Sequence, residues 1–339
     1  MTIENNTILI EPVKMEEKLN EVLQKYGFAE KKARKCAAVF TSSSVDGIYT
    51  HGINRFNRFI DYLKKGYIRP DAEPALKKKA GNIEQWDGNL GPGILNAIAA
   101  TDRAMELAME GGIGCVALSN TNHWMRGGSY GWQAAKRGFA FIGFTNTIAN
   151  MPAWGAKDQK LGNNPLVIAV PYKEDAVVLD MAMSQYSFGA MEMAVIKKES
   201  LAYHGGFDKS GNLTNNPSAI LASRRPLPIG YWKGAGLSLL LDILAALLSG
   251  GLSTQAISKK EVEHAVSQVF IAIDLIQLGE SSVINRTIQG IIDDYLQSIP
   301  QDERTSVTYP GQRVIETRKR NTENGIPVLK EVWDQIEGL

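Results

Sequence analysis

The sequence predicts an α/β fold preceded by an N-terminal helical region. Three observations carry this. From Met15 to Lys65 apolar residues recur at helical intervals; from residue 83 onward short apolar runs alternate with helical stretches; and residues 166–184 form two apolar runs about a polar turn.

The elements follow in order. "MEEKLNEVLQKYG" spaces Leu19, Val22 and Leu23 at helical intervals and stops at Gly27. "AEKKARKCAAVFTSSSVDG" and "HGINRFNRFIDYLKKG" continue the pattern, the latter with Phe56, Phe59, Ile60 and Leu63 on one face. The polar, proline-bearing "IRPDAEPALKKKAGN" reads as a linker out of this region. "IEQWDG" predicts a strand, "ILNAIAATDRAMELAMEGG" a helix, "IGCVALSN" a buried strand, "YGWQAAKRG" a short helix and "FAFIGFTNT" another strand. "LVIAVPYKEDAVVLDMAMS" predicts a β-hairpin turning at Lys173, Glu174 and Asp175. The apolar run "GLSLLLDILAALLSGG", residues 236–251, is short for a bilayer and carries Asp242, so it reads as a buried helix. The strand "SQVFIAIDL", the helix "SSVINRTIQGIIDDYLQSI" and a last helix near "PVLKEVWDQIEGL" complete the chain. The expected division is a helical region over residues 1–75 and an α/β region over 76–339, whose C-terminal helices pack back on the N-terminal part.

The bulk properties narrow the function. Lys plus Arg number 37 against 36 Asp plus Glu, so no global field favours nucleic acid or an anionic membrane. The two cysteines, Cys36 and Cys115, have apolar or small neighbours and suit buried free thiols in a reducing compartment. The start "MTIENNTILIEPVKMEE" has no basic segment followed by a long apolar core, and a cytoplasmic location is expected.

No two of the four histidines stand three or four residues apart, and neither HExxH nor CxxC occurs; no metal site is expected. "DGNLGPGILN" only partly matches a dinucleotide fingerprint, with Asn96 at the last glycine position, and reads as a loop opening a helix. "SNTNHWMRGGSYGWQAA", residues 119–135, gathers Asn122, His123, Arg126 and Ser129 in a glycine-rich stretch after a buried strand, where crevices commonly form. In "LPIGYWKGAGLSLLLD", Lys233 near a helix start either meets phosphate or stands in solvent. In "YTHGINRF", His51 and Arg55 are spaced to share a helical face. That pair suits reduction of a 2-oxo acid: arginine holds the carboxylate and histidine protonates the carbonyl oxygen. A capping histidine beside a solvated arginine is the other reading of the same residues.

Taken together, "HGINRF", "IEQWD", "NHWMRGGSYGWQAA", "PAWGAK", "GGFDKSGNLT", "GYWKGAGLSLLLD" and "SQVFIAI" resemble the type-2 malate/L-lactate dehydrogenase family, oxidoreductases whose nicotinamide-binding fold is not a Rossmann fold. The resemblance extends over nearly the whole chain. It implies a homodimer that uses NADH, with NADPH as the other choice, to reduce the 2-keto group of a sugar acid. It implies His51 as proton donor, with His123 in that role in some members. It implies a cofactor held by the strand Ala176, Val177, Val178, Leu179, Asp180, Met181 and Ala182, by Trp232 and Lys233, and by Gly311, Gln312 and Arg313. Arg55 is the expected carboxylate clamp, and Asn122, His123, Arg126 and Ser129 the expected partners for further substrate oxygens. The competing expectations are a malate, lactate or ureidoglycolate dehydrogenase, and a non-catalytic sugar-acid or nucleotide-binding protein.

Overall fold

A short strand, β1 (Thr7–Ile10), leads into the helices α1 (Pro12–Lys25), α2 (Glu30–Val45) and α3 (Ile53–Lys64), with a 3-10 turn at Tyr49–His51 before the last. The structure, a computed structural model, describes residues 6–302 and 306–339. The chain continues through β2 (Ala75–Ala80), β3 (Ile83–Asp87), α4 (Gly93–Gly111), β4 (Ile113–Thr121), α5 (Gly128–Ala135), β5 (Phe139–Thr145), β6 (Met151–Pro152) and β7 (Gln159–Leu161). Next come β8 (Leu166–Tyr172), β9 (Asp175–Met181), α6 (Phe188–Lys197), β10 (Gly206–Phe207), β11 (Leu213–Thr214), α7 (Pro217–Ser223), α8 (Trp232–Ser249) and α9 (Thr254–Ile257). Last are β12 (Val266–Asp274), α10 (Ser281–Leu296), α11 (Gln312–Asn324), β13 (Ile326–Leu329) and α12 (Lys330–Glu337).

The main sheet has seven strands in the order β2-β3-β4-β12-β5-β8-β9. Only β3 and β4 run parallel; the other pairs are antiparallel. Successive side chains on a strand point to opposite faces. On β4, Val116 and Leu118 join α4 and α5 in one core, while Cys115 and Ala117 meet Ala235, Leu241 and Ala245 of α8 in another. Burial on both faces explains why this strand reads as an unbroken apolar run.

The N-terminal helices build a separate core around Phe40, Phe56 and Phe59, and residues from the far end of the chain complete it: Ile326, Val328, Trp333 and Ile336. β13 pairs antiparallel with β1, placing Ile10 opposite Ile326. The C-terminal strand and helix therefore fill space that the first three helices leave open.

The structure corrects several expectations. The stretch read as a linker holds β2, an exposed edge strand of sequence ALKKKA. Its lysines hide it from a pattern search and also protect a sheet edge from pairing with another chain. The final helix begins at Lys330, because Ile326–Leu329 is strand. The apolar helix α8 is buried on one side only. Gly234, Ala235, Ser238, Leu241, Ala245 and Ser249 face the sheet, whereas Leu240 is 57% and Leu247 70% exposed. By length and composition α8 is also apolar enough to cross a membrane. Its inner side is tied into the protein: Ser238 donates to the Gly162 carbonyl at 2.7 Å, and Asp242 accepts from Asn146 at 2.9 Å and from the Thr254 N–H at 2.7 Å.

Candidate active site

His51 ends the 3-10 turn that links α2 to α3. Gly52 makes this turn possible, because a Cβ there would stand 2.3 Å from Ser44 Oγ. That hydroxyl accepts the Ile53 N–H at 2.9 Å and donates to the Phe40 carbonyl at 2.9 Å, pinning the turn to α2. His51 and Arg55 consequently do not share a continuous helical face, which corrects the expectation from their spacing. α3 starts two residues after the histidine.

His123 follows the end of β4, and its loop is held rigidly. Asn122 Nδ2 donates to the carbonyls of Tyr67, Leu90 and Gly91 at 2.9–3.1 Å, while Gln268 donates to the Asn122 carbonyl at 3.0 Å. Gly93, opening α4, lies so close that a Cβ would meet the Asn122 oxygen at 2.2 Å and the His123 oxygen at 2.4 Å. The partial glycine motif thus serves close packing against the histidine loop.

The two imidazoles stack, with ring centroids 5.6 Å apart and planes 23° from parallel. Burial, then the charges of Arg55 and Arg126, lower His51 to about 4. Burial, then Arg55, His51 and Arg58, hold His123 well below the usual histidine value. His123 Nδ1 accepts the Met125 N–H at 2.9 Å, so the proton of its neutral ring sits on Nε2. Arg55 is half-buried, close enough to shift both rings, and its guanidinium has no ion pair among the described residues.

Two expected substrate ligands have other work. Asn122 is 2% exposed and its amide N–H groups serve three backbone carbonyls. Arg126, 3% exposed, pairs with Asp46 and lies 4.6 Å from the Trp132 ring. Arg126 and the Asn122 amide N–H groups are thus parts of the frame, while Asn122 Oδ1 stays buried without a hydrogen-bond partner among the described residues. Ser129 sits half-buried in the first turn of α5, beside the Gly128 N–H that Asp180 accepts at 2.7 Å. That places it against β9.

Sequence reading missed the frame itself. Arg318 donates to Asp46 at 2.6 and 2.9 Å and to Asp175 at 3.1 Å, and Trp132 donates to Asp175 at 2.6 Å. This network joins the end of α2, the α5 loop, the start of β9 and α11. Its members come from positions 46, 126, 132, 175 and 318, so no local motif could signal it.

The expected cofactor segments converge along β9. The Val178 N–H points off the sheet edge and donates to the Pro310 carbonyl at 3.0 Å, and Gly311 follows directly against Val178. Gly311 has φ +96°, and a Cβ there would lie 3.2 Å from Val178 N. By strand alternation the backbone groups of Asp180 and Ala182 also face outward. Past the far end of β9, the Ile229 N–H donates to the Met183 carbonyl at 2.8 Å, which brings the turn before Trp232 and Lys233 alongside. Lys233 is exposed and has no ion pair among the described residues. An open strand edge, a glycine at close approach and a free ammonium fit a dinucleotide. Ala176 and Val178 point their side chains into the core, so they would serve through backbone alone, and Val177, Leu179 and Met181 are half-buried on the other face. Gln312 bonds Glu316 within α11 at 3.2 Å, whereas Arg313 is exposed.

This geometry meets independent comparisons. The family model for malate/L-lactate dehydrogenase matches residues 10–337. The chain is 44% identical to the 2,3-diketo-L-gulonate reductase of Citrobacter koseri over 326 residues, covering 96% of this chain and 98% of the relative. The 2,3-diketo-L-gulonate reductase of Pasteurella multocida matches at the same identity and coverage. The sulfolactate dehydrogenase of Methanocaldococcus jannaschii superposes with a TM-score of 0.89 at 28% identity, over 98% of this chain and 96% of that one. The malate dehydrogenase of Entamoeba histolytica shares the fold, with a TM-score of 0.92 at 24% identity over 98% and 97% of the two chains. The chain belongs to the malate/L-lactate dehydrogenase family and is an oxidoreductase.

Proposed function

We propose that the protein uses NADH to reduce the 2-keto group of a sugar acid, converting 2,3-diketo-L-gulonate to 3-keto-L-gulonate. The observation that carries this is the half-buried, unpaired Arg55 guanidinium beside two stacked neutral imidazoles. The names of the curated relatives support the choice of substrate.

Arg55 holds the substrate carboxylate, and the bound carboxylate offsets the positive charge that disfavours a second cation nearby. His51 then takes up a proton more readily and delivers it to the carbonyl oxygen. His123 is excluded from this step because its Nδ1 already accepts a backbone N–H. It acts instead as a fixed donor, offering Nε2–H to a substrate oxygen. A nicotinamide dinucleotide, when bound, supplies the hydride. The β9 edge at Asp180 and Ala182, the Gly311 turn, Trp232 and Lys233 would hold it, with Lys233 facing phosphate.

The reading includes a cytoplasmic homodimer. The buried, unpaired Cys36 and Cys115 suit a reducing compartment. The outer face of α8 presents Leu239, Leu240, Ile243, Leu244 and Leu247 with no charge among them, a surface suited to a second copy of itself.

The test is cofactor oxidation followed by absorbance with 2,3-diketogulonate, pyruvate and oxaloacetate, with NADH and NADPH in parallel. Preference for the sugar acid is the expected result. Equal or better efficiency with pyruvate or oxaloacetate would make the protein a general 2-oxo acid dehydrogenase.

A further inference from the structure

With Arg126 and the Asn122 amide N–H groups engaged in the frame, the hydroxyl groups of a sugar acid need acceptors beyond the buried Asn122 Oδ1. The sheet register points to them. Val266 pairs with Thr121, and β12 and β4 are antiparallel, so the residues just before Val266 run beside the loop that carries His123. Glu263 stands there, half-buried. Its Oε2 accepts the Ile148 N–H at 2.9 Å, and Oε1 has no hydrogen-bond partner among the described residues.

Arg55 and Arg58 lie within electrostatic reach of this carboxylate, yet neither closes an ion pair with it. With no ion pair between them, the guanidinium and the open carboxylate oxygen each keep hydrogen-bonding capacity for another group. Arg55 needs an acceptor and Glu263 needs a donor. A 2-oxo acid with hydroxyls along its chain supplies the first through its carboxylate and the second through an O–H. Pyruvate supplies only the first. Burial raises the Glu263 pKa while the Ile148 N–H, Arg55 and Arg58 oppose it, so the carboxylate is a basic acceptor that remains anchored.

We propose that Glu263 reads the hydroxylated chain of the substrate, accepting a hydrogen bond at its open oxygen from an O–H beyond the keto carbon. It is thereby a specificity-determining residue that favours sugar acids over short 2-oxo acids. This rests on the reading of the site as a 2-oxo acid reductase. A desolvated acceptor left without its donor is what makes such a site reject an analogue lacking the hydroxyl.

Glu263→Gln tests it, since the amide oxygen can keep the Ile148 bond while the open acceptor becomes a donor. Efficiency with diketogulonate should fall roughly tenfold to hundredfold, the range for losing a hydrogen bond to a charged group. Efficiency with pyruvate should change by less than about threefold, so that the loss is confined to substrate discrimination. Binding is read separately, from displacement of bound-cofactor fluorescence by the saturated sugar acid, and melting temperature checks the fold. Equal losses on both substrates, or no loss on either, would overturn the assignment and leave the reductase reading intact. If the wild type turns over no 2-oxo acid, both readings fall together.

Discussion

The Met125 N–H donates to Nδ1 of His123 at 2.9 Å, and on this bond rests the proposal that the two histidines have different roles. A cationic His123 would need a proton on the nitrogen that already faces a donor. His51→Ala should therefore lower turnover by roughly 10²- to 10⁴-fold, the usual range for a positioned general acid. Cofactor affinity should hardly move. Wild-type-like turnover in this variant would return the proton to His123.

His51 also links activity and stability to pH. Its pKa of about 4 in the folded chain lies below the ordinary 6.5, so the unfolded chain binds more protons between those values. Its contribution to stability is full above about pH 6.5 and is lost as pH falls toward 4. Melting temperature should rise with pH across this window, and His51→Gln should flatten the rise. In the reductive direction kcat/KM should increase as pH falls from neutrality, because the free enzyme holds its proton donor mostly neutral. A flat profile in both measurements would contradict this.

Arg55→Ala should damage reduction of diketogulonate and pyruvate alike, since both present a carboxylate. Losing a charge-assisted hydrogen bond predicts a tenfold to hundredfold rise in KM, to a first approximation about 1.5–3 kcal/mol. An effect confined to one substrate would show that the carboxylate is held elsewhere.

Lys233→Ala should raise the apparent cofactor KM, again by roughly tenfold to hundredfold if its ammonium meets phosphate. An unchanged KM with both NADH and NADPH would reduce this lysine to a solvated turn residue.

The outer face of α8 gives an independent prediction. Leu240→Lys with Leu247→Lys should place charge in the proposed subunit contact without touching the sheet, since both residues are more than half exposed. Sedimentation should then show monomers where the unmodified chain forms dimers. A monomeric, active unmodified chain would remove the dimer.

The sequence by itself determined the elements whose patterns are local. The period of the α1 and α3 apolar residues, the two-sided burial of β4 and the β8–β9 hairpin are each set within one short stretch, and the structure reproduces them, except that Asp175, expected in the turn, is the first residue of β9. Long ordered matches made the family legible, along with His51 and His123 as candidates. Elements whose stability comes from distant partners were not legible. β2 is a run of lysines that becomes a strand only by pairing with β3, and β13 exists because β1 needs a neighbour. The same holds for side-chain roles. Arg126 looks like a ligand in "NHWMRGG" until Asp46, which Arg318 holds from near the other end of the chain, pairs with it. The Asn122 amide looks available as a donor until three backbone carbonyls take up its N–H groups. A sequence displays which polar groups exist, but a buried donor is free for substrate only if folding leaves it without a partner, and partners are a property of tertiary contact.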